Sequence, residues 1–336
     1  MSVRVFVTGT AGFIGYHLVQ RLLATGHTVM GYDGMTDYYD VSLKLKRHAM
    51  LSEHEGFVHV EAMLEDKVSL DAAVDGFQPE IIVHLAAQAG VRYSLENPRA
   101  YVDANIIGSF NVLEAARRVN VDHLLMASTS SVYGGSADMP FREDQRADSQ
   151  LTMYAATKKA NESMAHAYAH LWKLPITMLR FFTVYGTWGR PDLALFKFVD
   201  AILKDEPIDI YNHGDMYRDF TYVDDVVEAI RLLSQKPPQT GNDAEQNRMG
   251  VSLSAPFRVV NIGNSSKVRL IDFIEAIEAS LGRKAIRNYL PMQKGDVPAT
   301  LADCSLLREI TGFQPAVAYQ DGIARFVQWF RTYYGR

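Results

Sequence analysis

Short apolar runs alternate with amphipathic stretches through the first half of this chain. Parallel strands need a crossover of about a dozen or more residues between them, and that crossover is usually a helix. The alternation therefore predicts an α/β fold, with a doubly wound parallel sheet covered by helices on both faces. The runs that we assign to strands are residues 3–8, 28–33, 57–61, 81–86, 123–128 and 176–182.

The pattern becomes shorter and more mixed after residue 182. We expect residues 1–182 to form the sheet domain, together with returning segments at about 215–234 and 257–263. The remaining segments of 183–336 are expected to form a smaller, mixed α/β C-terminal lobe. Residues 235–256 are rich in Pro, Gly and Asn and poor in apolar side chains, which predicts a mobile loop.

Composition limits the environment and the partners of the protein. The 336 residues are 48% hydrophobic, enough for a large core, and a formal net charge of -5 provides no basic surface for nucleic acid. No apolar run approaches the length that spans a membrane. The single cysteine, Cys304, cannot form an internal disulfide, which suits a reducing compartment. We therefore expect a cytoplasmic protein with neither a membrane nor a nucleic-acid partner.

Three glycines follow the first apolar run: Gly9, Gly12 and Gly15. They fall where a strand turns into a helix, and there the pyrophosphate of a dinucleotide needs bare backbone and a helix N-terminus. Asp33 ends the second run, near the position from which a carboxylate binds the adenosine ribose. Because its charge would repel a 2′-phosphate, a Rossmann sheet that prefers NAD to NADP is predicted. We interpret the basic residues that follow as a solvated face: Lys44, Lys46 and Arg47.

Tyr154 and Lys158 lie four residues apart in a segment with a helical pattern. Side chains at this spacing share one face of a helix, so the Lys158 ammonium can favour the ionised Tyr154 phenol. Moving a phenol pKa from about 10 to about 7 requires roughly 4 kcal/mol, which a neighbouring unit charge in a partly dry site supplies. Tyr154 is therefore a candidate general base, and with the glycine loop it indicates a redox enzyme.

Further motifs follow in a fixed order. With His84-Leu-Ala-Ala-Gln88, Asn105 and Ala127-Ser-Thr-Ser-Ser-Val-Tyr-Gly134, the chain resembles the extended short-chain dehydrogenase/reductase superfamily of NAD-dependent epimerases and dehydratases. Within it, nearly the whole chain resembles the UDP-glucuronate 4-epimerases. The segments that carry this second resemblance are Asp37-Tyr-Tyr-Asp40, Arg180-Phe-Phe-Thr183, Arg190-Pro-Asp192, Arg218-Asp-Phe-Thr-Tyr-Val-Asp-Asp225 and Gly295-Asp-Val-Pro-Ala299.

The resemblance implies an NAD-dependent epimerase that inverts C4 of a UDP-hexuronic acid, UDP-glucuronate to UDP-galacturonate, through a transient 4-keto sugar. Tyr154 would take the C4 hydroxyl proton, Thr129 would hydrogen-bond the C4 oxygen, and Lys158 would hold Tyr154 and the nicotinamide ribose. The implied cofactor contacts are Gly9, Gly12, Phe13, Ile14, Gly15, Asp33, Leu85, Ala86, Ala87, Tyr154 and Lys158. The implied contacts to the UDP-sugar are Thr129, Ser130, Ser131, Thr183, Arg190, Arg218 and Asp296.

Binding a sugar with a carboxylate at C6 requires hydrogen-bond donors and a cation. The hydroxyls of Thr129, Ser130, Ser131 and Thr183 are donors, and Arg190 can form a charge-assisted pair. Related decarboxylases and 4,6-dehydratases have an acid near Ser130 or Ser131, so neutral hydroxyls favour simple epimerisation. UDP-glucose 4-epimerisation is the alternative activity. A catalytically idle, NAD-binding redox sensor is a second alternative, which the intact catalytic set disfavours.

Two positions depart from the relatives' pattern. Gly34 stands in place of an Asn after Asp33, and Met63 in place of an acid near the end of the third strand. Both would loosen the adenine and ribose end of the cofactor site. His166 and His170 have a spacing that can bind metal, but hydride chemistry needs none, so we expect no metal site.

Two helices carry more apolar residues than packing on a sheet requires. Asn97 and Pro98 predict the start of the first, which runs to about residue 119, and the second covers about 152–171. In the superfamily such helices pair into a four-helix interface, so a homodimer is expected. The apolar residues in question are Tyr101, Ile107, Phe110, Met164 and Tyr168.

Overall fold

The computed structural model describes residues 2–240 and 249–336. Within them, seven parallel strands form the main sheet, in the order β3-β2-β1-β4-β5-β6-β10. Since the chain begins at the centre and winds outward in both directions, the predicted doubly wound sheet is confirmed. The strands are β1 (Arg4–Thr8), β2 (Thr28–Asp33), β3 (Phe57–Glu61), β4 (Ile81–His84), β5 (His123–Thr129), β6 (Ile176–Phe181) and β10 (Phe257–Ile262). The order reverses between β1 and β4, which opens a crevice at their carboxyl ends.

Successive side chains of β1 enter two different apolar cores. Val5 and Val7 belong to one core and Phe6 to the other, because neighbouring side chains of a strand point to opposite faces. The first core also contains side chains of α1 (Phe13–Ala24) and α9 (Val223–Ser234). The second contains side chains of α3 (Lys67–Phe77), α6 (Ser109–Val119) and α7 (Met153–Trp172).

The predicted helix from Asn97 to about residue 119 is interrupted. The Asn97 side chain caps α5 (Pro98–Tyr101), as the sequence suggests, but a π-helical segment, Val102–Gly108, separates α5 from α6. This segment carries Asn105, whose amide binds both backbone groups of Gln88 at 2.8 and 3.0 Å. Such π-helical turns are frequent at functional sites, and this one joins the helix to the loop after β4.

Two smaller sheets accompany the main sheet. The first has the order β11 (Lys267–Arg269), β9 (Tyr217–Tyr222), β7 (Thr183–Tyr185), and the second pairs β12 (Ile286–Tyr289) with β8 (Pro207–Ile210). Only Phe182 separates the end of β6 from the start of β7, so the small sheets start at the carboxyl edge of the main sheet. Of the loop predicted over 235–256, residues 241–248 lie outside the described residues, and Val251 forms an antiparallel bridge with Arg258. The remaining elements are α2 (Val41–Ser52), α4 (Tyr93–Glu96), α8 (Ala194–Leu203), α10 (Leu270–Leu281), α11 (Ser305–Thr311) and α12 (Tyr319–Tyr334).

Burial corrects two of the sequence interpretations. Lys44 and Arg47 are buried rather than solvated, and Arg47 is the largest fully buried side chain described. Its guanidinium donates to the carbonyl oxygens of Ala11 and Trp188 at 2.8 and 2.6 Å, so it is engaged with backbone instead of water. Among the apolar residues proposed for a dimer interface, Tyr101 is buried within the chain, and so is Tyr168.

None of the helices in residues 2–240 and 249–336 combines the length and the apolar character that crossing a membrane requires.

Candidate active site

The glycine loop after β1 is packed so tightly that its glycine positions have no room for a side chain. Gly9 has a left-handed φ of 80°, and a Cβ there would lie 2.8 Å from the backbone nitrogen of Ala86. A Cβ on Gly15 would overlap the carbonyl oxygen of Gly9. Strand β1, the loop and helix α1 thus contact one another through bare backbone, which leaves the crevice side of the loop open to a bound group.

The N-terminus of α1 faces this crevice. Gly12 is its N-cap and no acidic residue lies in the first turn, so no side chain competes for its free N–H groups. Asp33, at the end of β2, accepts hydrogen bonds from the backbone nitrogens of Ala11 and Met35, both at 2.9 Å. Each carboxylate oxygen keeps a lone pair for a further donor. The arrangement fits a pyrophosphate at the helix and a ribose at Asp33.

The loop after β4 is anchored by Thr8. The Thr8 hydroxyl accepts from the backbone nitrogens of Leu85 and Ala86, both at 3.1 Å, and contacts His84 Nδ1 at 2.8 Å. Burial, with a smaller effect from the Lys158 charge, lowers the pKa of His84 to about 3. The neutral His84 imidazole and the Thr8 hydroxyl together hold the start of this loop against β1. The loop contains the predicted cofactor contacts at residues 85–87.

The two departures from the relatives' pattern contact each other. A Cβ on Gly34 would overlap the Met63 sulfur, so the Met63 thioether occupies the space beside Gly34. The Met63 backbone carbonyl accepts a hydrogen bond from the Tyr32 hydroxyl at 3.0 Å, which fixes the end of β3. The residue at 34 must therefore be small while Met63 keeps this position.

Tyr154 and Lys158 lie on the first turns of α7, which the Thr152 hydroxyl caps by accepting from the Ala155 nitrogen at 3.2 Å. Lys158 Nζ donates to the Ala127 carbonyl oxygen at 3.2 Å, and burial lowers its pKa to about 8. Burial also raises the pKa of Tyr154, against the opposing effects of the Thr129 hydroxyl and then of the Arg190 charge. The charge that opposes this rise in the pKa of Tyr154 is that of Arg190.

Arg190 has a carboxylate partner of its own. Its Nε and Nη2 donate to the two oxygens of Asp192 at 2.9 and 2.5 Å. The Tyr38 hydroxyl donates to the same carboxylate at 3.3 Å, and the guanidinium carbon lies 5.8 Å from the centre of the Tyr38 ring. Arg190 thus joins the wall of the site beside Tyr38 and Tyr154.

Three of the other predicted sugar contacts line one cleft. Ser130, Ser131 and Asp296 line it together. Arg218 Nη2 donates to Asp296 at 2.6 Å, so the carboxylate in the cleft is paired. The Thr129 hydroxyl lies 3.2 Å from that of Ser131, which links the cleft to the strand end beside Tyr154. Thr183 begins β7 and is partly exposed.

The two histidines with metal-like spacing contact the segment before β10 instead. His166 Nε2 lies 3.1 Å from the Ser252 hydroxyl, and His170 Nδ1 lies 2.8 Å from the Ser254 carbonyl oxygen. Throughout the described ranges, no three His, Cys, Asp or Glu side chains gather into a possible metal site.

Sequence reasoning missed Tyr38 and Asp192 as site residues. Tyr38 lies inside the motif Asp37-Tyr-Tyr-Asp40 and Asp192 inside Arg190-Pro-Asp192, yet neither motif says which side chains meet. An acid two residues after the predicted cation was the available signal for Asp192.

Comparisons with known proteins agree with this architecture. A model of the NAD dependent epimerase/dehydratase family matches residues 5–247. A protein of Rhizobium meliloti (strain 1021), described as a probable UDP-glucuronate 4-epimerase, is 57% identical over 99% of this chain and 98% of its own length.

Solved structures match over the same extent. The UDP-glucuronic acid 4-epimerase of Bacillus cereus, in complex with UDP-glucuronic acid and NAD, is 30% identical and superposes with a TM-score of 0.88 over 98% of this chain and 100% of its own. The UDP-glucose 4-epimerase of Thermus thermophilus, in complex with NAD, is 29% identical with a TM-score of 0.82, over 98% of this chain and 99% of its own.

Proposed function

We propose that this chain, which belongs to the NAD-dependent epimerase/dehydratase family, inverts C4 of UDP-glucuronate and so interconverts it with UDP-galacturonate. The observation that carries the proposal is the placement of Tyr154, a half-buried side chain on the first turn of α7, one turn before the buried Lys158 and with its ring edge-on to Tyr101. Relatives matched over nearly the full chain, including one in complex with UDP-glucuronic acid and NAD, support this substrate over UDP-glucose.

Tyr154 is the group that moves the proton. Its Oη takes the proton of the C4 hydroxyl and returns it to the C4 oxygen once the centre is inverted. Since burial disfavours the phenolate, the Thr129 hydroxyl and the Arg190 charge are needed to oppose that cost. NAD, when bound, supplies the hydride acceptor and donor for C4. Lys158, whose Nζ donates to the Ala127 carbonyl oxygen, would hold the nicotinamide ribose.

The glycine loop and Asp33 support the assignment of NAD as the cofactor. Gly9, Gly12 and Gly15 leave bare backbone at the helix N-terminus for the pyrophosphate, and Asp33 keeps acceptors for the ribose hydroxyls. Lys44 donates to the Thr36 carbonyl oxygen at 2.6 Å and is not directed at a 2′-phosphate, which supports NAD over NADP. We assign the other cofactor contacts to Phe13, Ile14, Leu85, Ala86 and Ala87.

The cleft lined by Ser130, Ser131 and Asp296 favours epimerisation over loss of water or of carbon dioxide. Ser130 and Ser131 supply neutral hydroxyls, and Asp296 is paired with Arg218. Proton transfer at C5 or C6 needs an acid or base free to exchange a proton. We assign these four residues, with Thr129, Thr183 and Arg190, to binding the UDP-sugar.

Purified protein incubated with UDP-glucuronate is expected to form UDP-galacturonate until the two reach equilibrium, without net accumulation of NADH. The reason is that each hydride returns to the sugar from which it came. Chromatography of the sugar nucleotides and nicotinamide absorbance measure both, with UDP-glucose in a parallel reaction. One NADH per product would indicate a dehydrogenase, and faster turnover of UDP-glucose would contradict the uronate assignment.

We further propose the division of the chain suggested by the sequence. Residues 1–182, with about 215–234 and 257–263, are assigned to NAD binding and the rest of 183–336 to the UDP-sugar. Within 215–234 only α9 follows this division, because β9 pairs with β7 and β11 of a small sheet. Support comes from β10, which pairs with β6, and from α9, which packs on α1. A cytoplasmic location is also proposed, because the single cysteine suits a reducing compartment. In this structure Cys304 is a buried free thiol.

A homodimer through α6, α7 and the π-helical segment is also proposed. Ile107 and Phe110 remain exposed apolar side chains there, and Leu171 and Trp172 are exposed at the end of α7.

Replacing Phe110, which is 44% exposed, by Asp is expected to convert the dimer into monomers, because a charge would be buried in an apolar contact. Sedimentation velocity measures the mass. Leu45→Asp, at an apolar side chain 55% exposed on α2, is the matched control and should leave the dimer intact. A wild-type chain that sediments as a monomer would contradict the proposal.

A further inference from the structure

The Arg190 guanidinium is paired with a carboxylate of the protein before any substrate arrives. Its two hydrogen bonds to Asp192 have the parallel, forked geometry that makes arginine–carboxylate pairs strong. The two side chains are only 20% and 25% exposed, so water screens the pair incompletely. The fork formed by Nε and Nη2 is occupied, and the donors left for a ligand are those of Nη1 and the second hydrogen of Nη2.

Tyr38 holds the carboxylate from a distant part of the chain. Its hydroxyl donates to the Asp192 oxygen that also accepts from Arg190 Nη2. The Tyr38 ring packs on Tyr93 at 4.9 Å, and a Cβ on Gly90 would lie 2.7 Å from the hydroxyl oxygen. Tyr93 therefore restricts the ring and Gly90 the hydroxyl of Tyr38. Because Tyr38 in turn holds Asp192, the carboxylate cannot move freely with Arg190 if the guanidinium turns towards a substrate.

Asp192 remains ionised around neutral pH. Burial alone would raise the pKa of this carboxyl, but the hydrogen bonds and charge of Arg190 outweigh burial and hold the pKa below its ordinary value. A sugar carboxylate that reaches Arg190 therefore meets a cation whose charge is partly balanced by Asp192, and Asp192 repels the sugar carboxylate.

We propose that Asp192, held by Tyr38, is a positioning residue that limits how strongly Arg190 binds the carboxylate of a UDP-uronate. The inference rests on the proposed function. Inversion at C4 requires the sugar to present both faces, so the sugar must turn within the site. Binding that stabilises one orientation of the ground state raises the barrier to turning without assisting the chemical step. An Arg190 guanidinium that is paired with Asp192 still favours a uronate, but it binds the sugar carboxylate weakly enough for the sugar to turn within the site.

The test replaces Asp192 by Asn, which keeps the size of the side chain and removes its charge. Binding is measured by calorimetry in a Tyr154→Phe background, where turnover is expected to be about 100- to 10,000-fold slower. We expect Kd for UDP-glucuronate to fall about 5- to 30-fold relative to Kd for UDP-glucose, because one opposing charge is lost in a partly dry site. In the Tyr154 enzyme, kcat and KM for UDP-glucuronate should fall together.

Three variants separate this role from a purely structural one. Tyr38→Phe should shift the ratio of the two Kd values in the same direction by a smaller factor, and it carries the test if Asp192→Asn fails to fold. With Arg190→Met in place, Asp192→Asn should no longer favour the uronate. Asp200→Asn makes the same change in an exposed pair, where Asp200 contacts Lys204 at 2.7 Å, and should leave the ratio unchanged.

An unchanged ratio of Kd values in folded Asp192→Asn protein, or weaker binding of UDP-glucuronate relative to UDP-glucose, would overturn the inference. Wild-type protein that does not epimerise UDP-glucuronate would contradict the proposed function instead. The ratio of Kd values still reports on Asp192 in that case, so the two failures are distinguishable.

Discussion

Tyr154→Phe is expected to reduce kcat for UDP-glucuronate about 100- to 10,000-fold, while Kd for the UDP-sugar changes by no more than a few-fold. The substitution keeps the ring and deletes the one atom that is proposed to accept the C4 proton. The ring contacts Tyr101 edge-on, with centroids 6.1 Å apart, so packing of the site is retained. Steady-state kinetics and calorimetry measure the two quantities separately.

The matched control for this variant is Tyr168→Phe. Tyr168 lies on the same helix, and its hydroxyl donates to Glu114 at 2.5 Å, away from the crevice. Loss of that hydroxyl should change kcat less than twofold and reduce stability by about 1 kcal/mol. If Tyr154→Phe kept most of its kcat, or if Tyr168→Phe lost as much, the proton transfer could not be assigned to Tyr154.

Gly15→Ala is expected to abolish NAD retention and, with it, activity. The added Cβ would overlap the Gly9 carbonyl oxygen and lie 2.7 Å from the Gly9 carbonyl carbon, both of them backbone atoms that cannot rotate away. Helix α1 must then move from the loop, which separates the helix N-terminus from the pyrophosphate position and costs about 1–3 kcal/mol of stability. Nicotinamide released on denaturation measures cofactor content per chain.

Gly76→Ala provides the control for a glycine in a helix. Gly76 lies within α3, and a Cβ there would meet no heavy atom within 4 Å. Because Ala favours a helix over Gly, we expect a gain of about 0.5–1 kcal/mol and full NAD content. Gly15→Ala protein that retained NAD and activity would show that the close contact of α1 with the loop is not needed for binding.

The candidate site was predictable to different degrees. Gly9 and Gly15 could be identified because the tight turn imposes a local steric demand that only glycine meets. Arg190 could be identified as a site residue from its motif, but the pairing with Asp192 and Tyr38 could not. Tyr38 is 154 positions from Asp192 along the chain, and no local rule says which distant side chains will meet.

Sequence by itself determined the doubly wound sheet, the glycine turn and the Asn97 helix cap, since each follows from sterics or hydrogen bonding within a few residues. Only the tertiary structure decided the surroundings of the charges. A basic residue looks the same in a sequence whether water, carbonyl oxygens or a carboxylate surrounds it. Arg47 is accordingly buried on backbone carbonyls, and Arg190 opposes the rise in the pKa of Tyr154 while Asp192 partly balances its charge. These environments are set by packing between segments far apart in the chain, and the free energy of a charge depends on that packing more than on its neighbours in sequence.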